Sequence, residues 1–354
     1  MTINQDIFDA SVRHMVWLER YKTKEAKRIL RLLEQADDDL VSQIAARMAK
    51  IEKRGYDLGV ATTERLNQLL DEIRLERKEI MRILYAESKD ELVLFSEYEA
   101  EFNKNMIVNS AKPYGAEISM VAPAASQLKA AVTSMPFQGR FLKEWYNDLG
   151  ADTARRISDA LRIGIAEGQT TDQIVRRIRG TKARGYSDGV MSIGKRNAEA
   201  IVRTAINHVS SRAADELYAA NSDIIAGVKW VSVLDSRTSA PCRANDGKIF
   251  PVKSGPRPPL HFSCRSRVIP YLGPTSVKGV RASKTGPVAD DVTYGDWLKS
   301  QPVAVQNEVL GAAKAKLFRK GNLPLDRFVD NSGKEYTLAE LRSRDSEVWS
   351  KVFE

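Results

Sequence analysis

Lys195-Arg196-Asn197-Ala198-Glu199-Ala200-Ile201-Val202-Arg203 opens a segment running to Ala220, and Val228-Lys229-Trp230-Val231-Ser232-Val233-Leu234 follows it. In the first segment Ala198, Ile201, Val202, Ala205, Ile206, Val209, Ala213 and Leu217 recur at the spacing of one helical face. Arg196, Arg203, Asn207 and Ser210 fall on a separate polar face. The second segment is rich in β-branched residues and predicts a strand. Asn245-Asp246-Gly247 predicts a tight turn into Lys248-Ile249-Phe250, and so a hairpin. Gly255-Pro256-Arg257-Pro258-Pro259 reads as a stiff loop closing on His261-Phe262-Ser263-Cys264-Arg265. The centre of the chain is therefore α+β.

On the N-terminal side the pattern is helical. Leu33, Leu40, Ile44, Met48 and Ile51 stripe one long helix over 11–54, broken where Gly55 and Gly59 stand. Thr62 or Thr63 is placed to cap a second helix striped by Leu66, Leu69, Leu70, Ile73, Ile80, Ile83 and Leu84. A third segment carries Leu94, Phe95, Tyr98 and Phe102. Residues 106–136 are punctuated by prolines. Helices resume at about 139–149 and 152–167, and Glu167-Gly168-Gln169-Thr170-Thr171-Asp172 predicts a glycine stop and then a threonine cap for a helix over 172–179. On the C-terminal side, 271–290 reads as a linker. Trp297, Leu298, Val305, Val309, Leu310, Leu317, Phe318, Leu325, Phe328, Leu338 and Leu341 supply a small helical core. The fold class is mainly α: a long N-terminal helical hairpin or bundle, a central α+β domain and a short helical tail. The boundaries drawn are 1–110 for the long-helix region, 111–136 for a connector, 137–270 for the central domain, 271–290 for the linker and 291–354 for the tail.

Composition narrows the function classes. The 354 residues carry a formal charge of +9, with 43% apolar and 29% charged residues, enough for real cores. No apolar run approaches the ~18 residues of a membrane span. The N-terminus lacks the cationic and apolar stretches of a secretory signal, so the expectation is a soluble protein made in the cytoplasm. Residues 151–290 hold 23 Lys+Arg against 12 Asp+Glu, a balance of +11, which leaves −2 on the rest. That bias suits a phosphate backbone or an acidic partner as well as an ordinary solvated surface.

Cys242, His261 and Cys264 offer two sulfurs and an imidazole, the donors zinc prefers. A structural site takes four ligands, so Asp235, Asp246, His208 or water would have to complete it. Without an evident fourth ligand, packing of the thiols as small hydrophobes, with His261 bonded to a backbone carbonyl, is the favoured reading, and no cofactor is required. Asp235-Ser236-Arg237-Thr238 follows the strand directly. Arg203, Arg237 and Arg265 are candidates for phosphate or DNA contact, although a polar network bracing helix to hairpin explains them better. His14 has no evident partner, and in Glu97-x-Glu99-x-Glu101 the two-residue spacing sends the carboxylates to different helix faces. Phosphate-loop, zincin, nucleophile-elbow and dinucleotide motifs are absent, so nothing compels an enzyme.

Arg203-Thr204, the run from Trp230 through Asp235, Arg237, Thr238 and Cys242, then Asp246-Gly247 and Pro258-Pro259-Leu260-His261-Phe262-Ser263-Cys264-Arg265 together resemble the Mu F-like head-morphogenesis family of tailed bacteriophages. The likeness covers about 195–270, and Thr293-Tyr294-Gly295-Asp296-Trp297-Leu298 is similar to the tail of such proteins. The resemblance makes Trp230, Asp235, Arg237, Thr238, Cys242, Asp246, Gly247, Pro259, His261, Cys264 and Arg265 the family positions. It implies a non-enzymatic minor head protein, located in the virion. Its partners would be portal or capsid proteins and, without sequence preference, double-stranded DNA, with oligomers in the particle and roles in genome packaging or delivery. Ser239 and Ser266 stand where many members place cysteines, which makes a metal optional. The alternative is a metal-dependent, phosphate-acting nuclease centred on Cys242, His261, Cys264 and Asp235. An attached effector domain is disfavoured, because the tail is short and carries no catalytic motif.

Overall fold

A computed structural model describes residues 2–53, 60–273, 280–283, 286–289 and 291–354. In chain order the helices are α1 (Ile3–Glu52), α2 (Val60–Ala111), α3 (Ala125–Thr133), α4 (Leu142–Ala166), α5 (Thr171–Arg179) and α6 (Met191–Ala220). Then come β1 (Gly227–Val231), α7 (Ala240–Asn245), β2 (Ile249–Phe250), β3 (Arg267–Tyr271), β4 (Val280–Ser283) and β5 (Gly286–Ala289). The chain closes with α8 (Tyr294–Lys299), α9 (Val303–Leu310), α10 (Ala312–Lys320), α11 (Leu338–Arg344) and α12 (Ser346–Phe353). The fold is mainly α, with long helices at the N-terminal end. No helix among the described residues is long and apolar enough to cross a membrane. Two compact units result, one of Met1–Glu19, Ser96–Leu128 and Asn207–Glu354, the other of Arg20–Phe95 and Lys129–Ile206.

The described residues of the second unit are mainly helical, with one isolated bridge between Phe137 and Arg140. Leu40, Ile44, Met48 and Ile51 of α1 and Leu69, Leu70 and Ile73 of α2 pack with Ile157, Leu161 and Ile165 of α4 and with Ile174 and Ile178 of α5. The stripes read from periodicity are thus the buried faces, although Ile83 and Leu94 point outward. The anticipated break at Gly55 and Gly59 lies outside the described residues. Thr62 and Thr63 fall within the first turns of α2 rather than ahead of it. The anticipated interruption near residue 150 is absent, and α4 runs through it unbroken. Gly150 serves packing instead: a Cβ there would stand 2.7 Å from Met81 Cγ. A threonine caps α5 as the sequence predicts: it is Thr170, accepting from the Gln173 amide while the Gln173 side chain returns to the Thr170 amide. Asp37 and Arg77 form a buried ion pair in this unit.

In the first unit a three-stranded antiparallel sheet runs in the order β2-β1-β3, with Trp230 opposite Val268 and Lys229 opposite Ile249 on one side and Ile269 on the other. Strand β1 is covered on both faces, and Val228, Trp230 and Val231 are buried while Lys229 at its centre is half-buried. It ends at Val231, short of the anticipated Leu234, because the Ser232 amide donates to the Asp246 carboxylate at 2.7 Å instead of continuing the ladder. β1 and β2 do pair, but α7 is inserted between them, so the anticipated tight hairpin is an open one. It closes where the Gly247 amide donates to Trp230 O and the Trp230 amide to Lys248 O. The anticipated linker at 271–290 is also corrected. Tyr271 ends β3, and β4 and β5 pair as an antiparallel hairpin bridged to Leu234 through Ser283. Val288 of that hairpin packs on the core that holds Leu234 and Tyr294. Trp297, Leu298, Leu317, Phe318, Phe328 and Leu341 make that C-terminal core, whereas Leu338 stays exposed.

Candidate functional site

Helix α7 begins at a proline-containing turn after Ser239 and carries Cys242 inward. The segment His261–Cys264 approaches from the other side, folded by a Cys264 amide bond to His261 O and by a left-handed Ser263. The two sulfurs lie 3.7 Å apart, and Cys242 Sγ is 3.5 Å from His261 Nε2. Donor atoms of Cys242, His261 and Cys264 all fall within 4.8 Å of one another. Both cysteines are free and buried, on a floor that includes Trp230 and Val268. His261 Nδ1 sits 2.8 Å from Phe262 O. Since that carbonyl can only accept, Nδ1 carries the proton in the neutral ring and the Nε2 lone pair faces the sulfurs.

The thiols differ in acidity. The hydrogen bond from Cys242, with a further contribution from His261, draws the Cys264 thiol down to about 4 against the effect of burial. Cys242 is pushed up, by the same bond and by burial. The interaction with Cys264 raises His261 against its desolvation. Ser239 and Ser266 stand beside the Cys242 sulfur. Ser266 Oγ is 3.1 Å from Ser232 Oγ, which accepts from Trp230 Nε1 and donates to Cys242 O. Ser239 Oγ is buried against the Cys242 sulfur and meets no oxygen or nitrogen partner.

Around this cluster the other motif residues form a brace. Arg265 holds Asp235 through two bonds of 2.7 Å, Nη1 to Oδ2 and Nη2 to Oδ1. The Arg237 amide donates to Asp235 Oδ1, and the Arg237 side chain remains largely exposed. Partial burial would raise the Asp235 carboxyl, but Arg265 outweighs it and holds the group below its ordinary value. Thr238 Oγ1 donates to Val233 O, and Arg243 to Thr238 O. Asp246 accepts the Ser232 amide on one oxygen and the Tyr294 amide on the other. Tyr294 Oη in turn donates to Asp235 O at 2.6 Å. Pro259 follows a cis peptide bond and leads into the His261 turn. Asp235 and Asp246, two of the candidates for a fourth ligand, are thus engaged elsewhere, and the donor cluster among the described residues consists of the two cysteines and His261. Arg203 belongs to the other unit, where it bonds Glu199 and Thr23.

A second buried network escaped the sequence reading. Glu99 on α2 accepts from Ser210 and Arg267 and lies 2.5 Å from His14 Nε2. Arg267 also reaches Asn103, whose side-chain oxygen accepts from Tyr218. Burial opposes the Glu99 charge, yet Arg267, His14 and Ser210 hold the group down at about 2. Desolvation lowers His14, which stacks on Phe102 at 3.7 Å between ring centres. Glu97 and Glu101 face solvent while Glu99 is fully enclosed, as their spacing requires. The partners stand up to 168 residues apart, and no local signal joins them.

Residues 155–269, about a third of the chain, match the family described as Phage Mu protein F like protein. No curated protein and no solved structure matches the chain.

Proposed function

We propose that this chain, which belongs to the Phage Mu protein F-like family through residues 155–269, is a structural head-morphogenesis protein of a tailed bacteriophage. The observation that carries the reading is the family match itself, over the segment whose motif residues close into a brace rather than a substrate-binding cleft. Asp235, Asp246 and Arg265 have their hydrogen-bonding capacity directed at one another and at backbone, and Cys242 and Cys264 are 1% exposed. Those features favour a scaffold over the nuclease alternative, in which carboxylates and arginines must face a phosphate.

The finer reading places the protein in the virion, incorporated during head assembly near the portal. Val16, Trp17 and Tyr98 are exposed in the first unit, with the Trp17 and Tyr98 rings 5.0 Å apart. An exposed aromatic pair of this kind is a common anchor at protein interfaces. In the second unit Arg74, Lys78, Arg155 and Arg162 line a groove of about 530 Å³ in which Asp159 is the one acidic residue. Cations on a groove give phosphate contact without base readout, in keeping with non-specific binding of packaged DNA. The direct test is assembly of heads with the gene deleted or with Trp17→Ala/Tyr98→Ala in its place. Loss of the chain from particles, with aberrant heads or low DNA content, is the expected result. Heads of normal form, portal content and DNA content in the deletion would refute the assignment.

A further inference from the structure

We propose that Cys242, His261 and Cys264 bind one zinc ion, leaving a fourth position to a water molecule held by Ser239. A tetrahedral zinc with bonds of about 2.3 Å to sulfur and 2.0–2.1 Å to nitrogen holds two sulfurs about 3.8 Å apart and a sulfur and a nitrogen about 3.6 Å apart. The corresponding separations here are 3.7 Å and 3.5 Å. The sulfurs are far outside the ~2.05 Å of a disulfide. A thiol hydrogen bond would account for either separation taken alone. Two further features point past it, to an ion.

The first is His261. Its Nδ1 is held on Phe262 O, so Nε2 is the ring nitrogen turned toward the sulfurs. Zinc-bound imidazoles are oriented by such an outer bond on the far ring nitrogen. The second is Ser239, whose hydroxyl is buried against the Cys242 sulfur and meets no oxygen or nitrogen partner. A zinc-bound water would supply that hydroxyl with an oxygen partner. The two cysteines come from different segments, α7 and the turn before β3, so an ion would tie these together beneath Trp230. Binding holds both sulfurs as thiolates, and any proton still carried by a thiol passes to solvent, so the step needs no oxidant or reductant.

The test uses the full chain, purified with a reductant and without chelator. Elemental analysis is expected to return one zinc per chain, lost in Cys242→Ser and in Cys264→Ser. Because those variants can fail by misfolding, unsubstituted protein is also stripped with chelator and refilled with cobalt(II). A tetrahedral site with two thiolates gives intense visible bands and sulfur-to-cobalt charge transfer, and an adventitious surface site gives the weak spectrum of octahedral cobalt. Ser239→Ala is expected to keep the cobalt spectrum but to release zinc to a chromogenic chelator several-fold faster. Folded chain that is purified metal-free and takes up no cobalt in tetrahedral form overturns the proposal. So does retention of stoichiometric zinc by both cysteine variants.

Discussion

Glu99 illustrates how much one side chain can hold. It is fully enclosed and shared by His14, Ser210 and Arg267, which come from α1, α6 and β3. Glu99→Gln leaves Arg267 charged, 3% exposed and without its anion, and breaking such a buried pair costs about 3–5 kcal/mol. A urea unfolding curve of the variant should show a midpoint shifted down accordingly, and an unchanged midpoint would contradict the network. His14 adds a pH dependence of definite sign. Its folded-state pKa lies below the ordinary value of about 6.5, so as pH falls the unfolded chain takes up this proton first. Its contribution is therefore present above about pH 6.5 and lost progressively below it. Glu99, held at about 2, keeps its own contribution above the ordinary carboxylate range and loses it as pH falls from there toward 2. His14→Phe should flatten the slope of stability between pH 5 and 7 relative to the unsubstituted chain, whatever it does to absolute stability. Retention of the full slope would assign it to another group. These residues were each visible in the sequence, but pairing is a property of three dimensions. What was legible was only that Glu99 must face a different way from Glu97 and Glu101.

At the scale of elements, periodicity carried the helices well because burial of one face is what makes them stable. Errors arose where a residue has two uses. Glycine ends helices and also lets them approach closely, and at Gly150 the second use prevails. The connection between α5 and α6 makes the same point more strongly. A Cβ on Gly189 would stand 2.2–2.4 Å from the backbone of Arg179 and Gly180, where nothing can swing aside. Gly189→Ala should therefore lower the melting temperature and cost more than Gly168→Ala. Gly168 has a positive φ of 65° but open space around it, so its cost is the left-handed strain alone, about 1–2 kcal/mol. Equal effects at the two positions would show that the loop relaxes. The hairpin of β4 and β5 was missed because only Val280 and Val288 among its strand residues are β-branched, and pairing of the backbone overrides that weak local signal.

For the molecule as a whole, the charge split of +11 on residues 151–290 and −2 elsewhere is a statement about long-range attraction. If the groove lined by Arg74, Lys78, Arg155 and Arg162 meets DNA, binding should weaken linearly in log–log form with salt and show no base preference. Lys78→Glu/Arg162→Glu should reduce both the affinity and the salt slope in a filter-binding or anisotropy titration. Affinity that is independent of salt, or a double variant that binds as before, removes the groove from the account. The mainly α class, the central strand and the motif were legible from sequence, since each rests on local pattern. The division into two units was not, because α1, α2, α3 and α6 each contribute a stretch to both.

Tyr294 bears on how such chains can be rebuilt. Its amide and hydroxyl reach back to Asp246 and Asp235, so the first turn after residue 290 completes the hydrogen bonding of the motif. The C-terminal 64 residues are therefore no detachable cassette. A recombinant that exchanges them for another tail inherits two carboxyl-bearing residues with partners to replace. A crossover placed before Thr293 succeeds only if the incoming segment brings an amide and a hydroxyl to the same two positions.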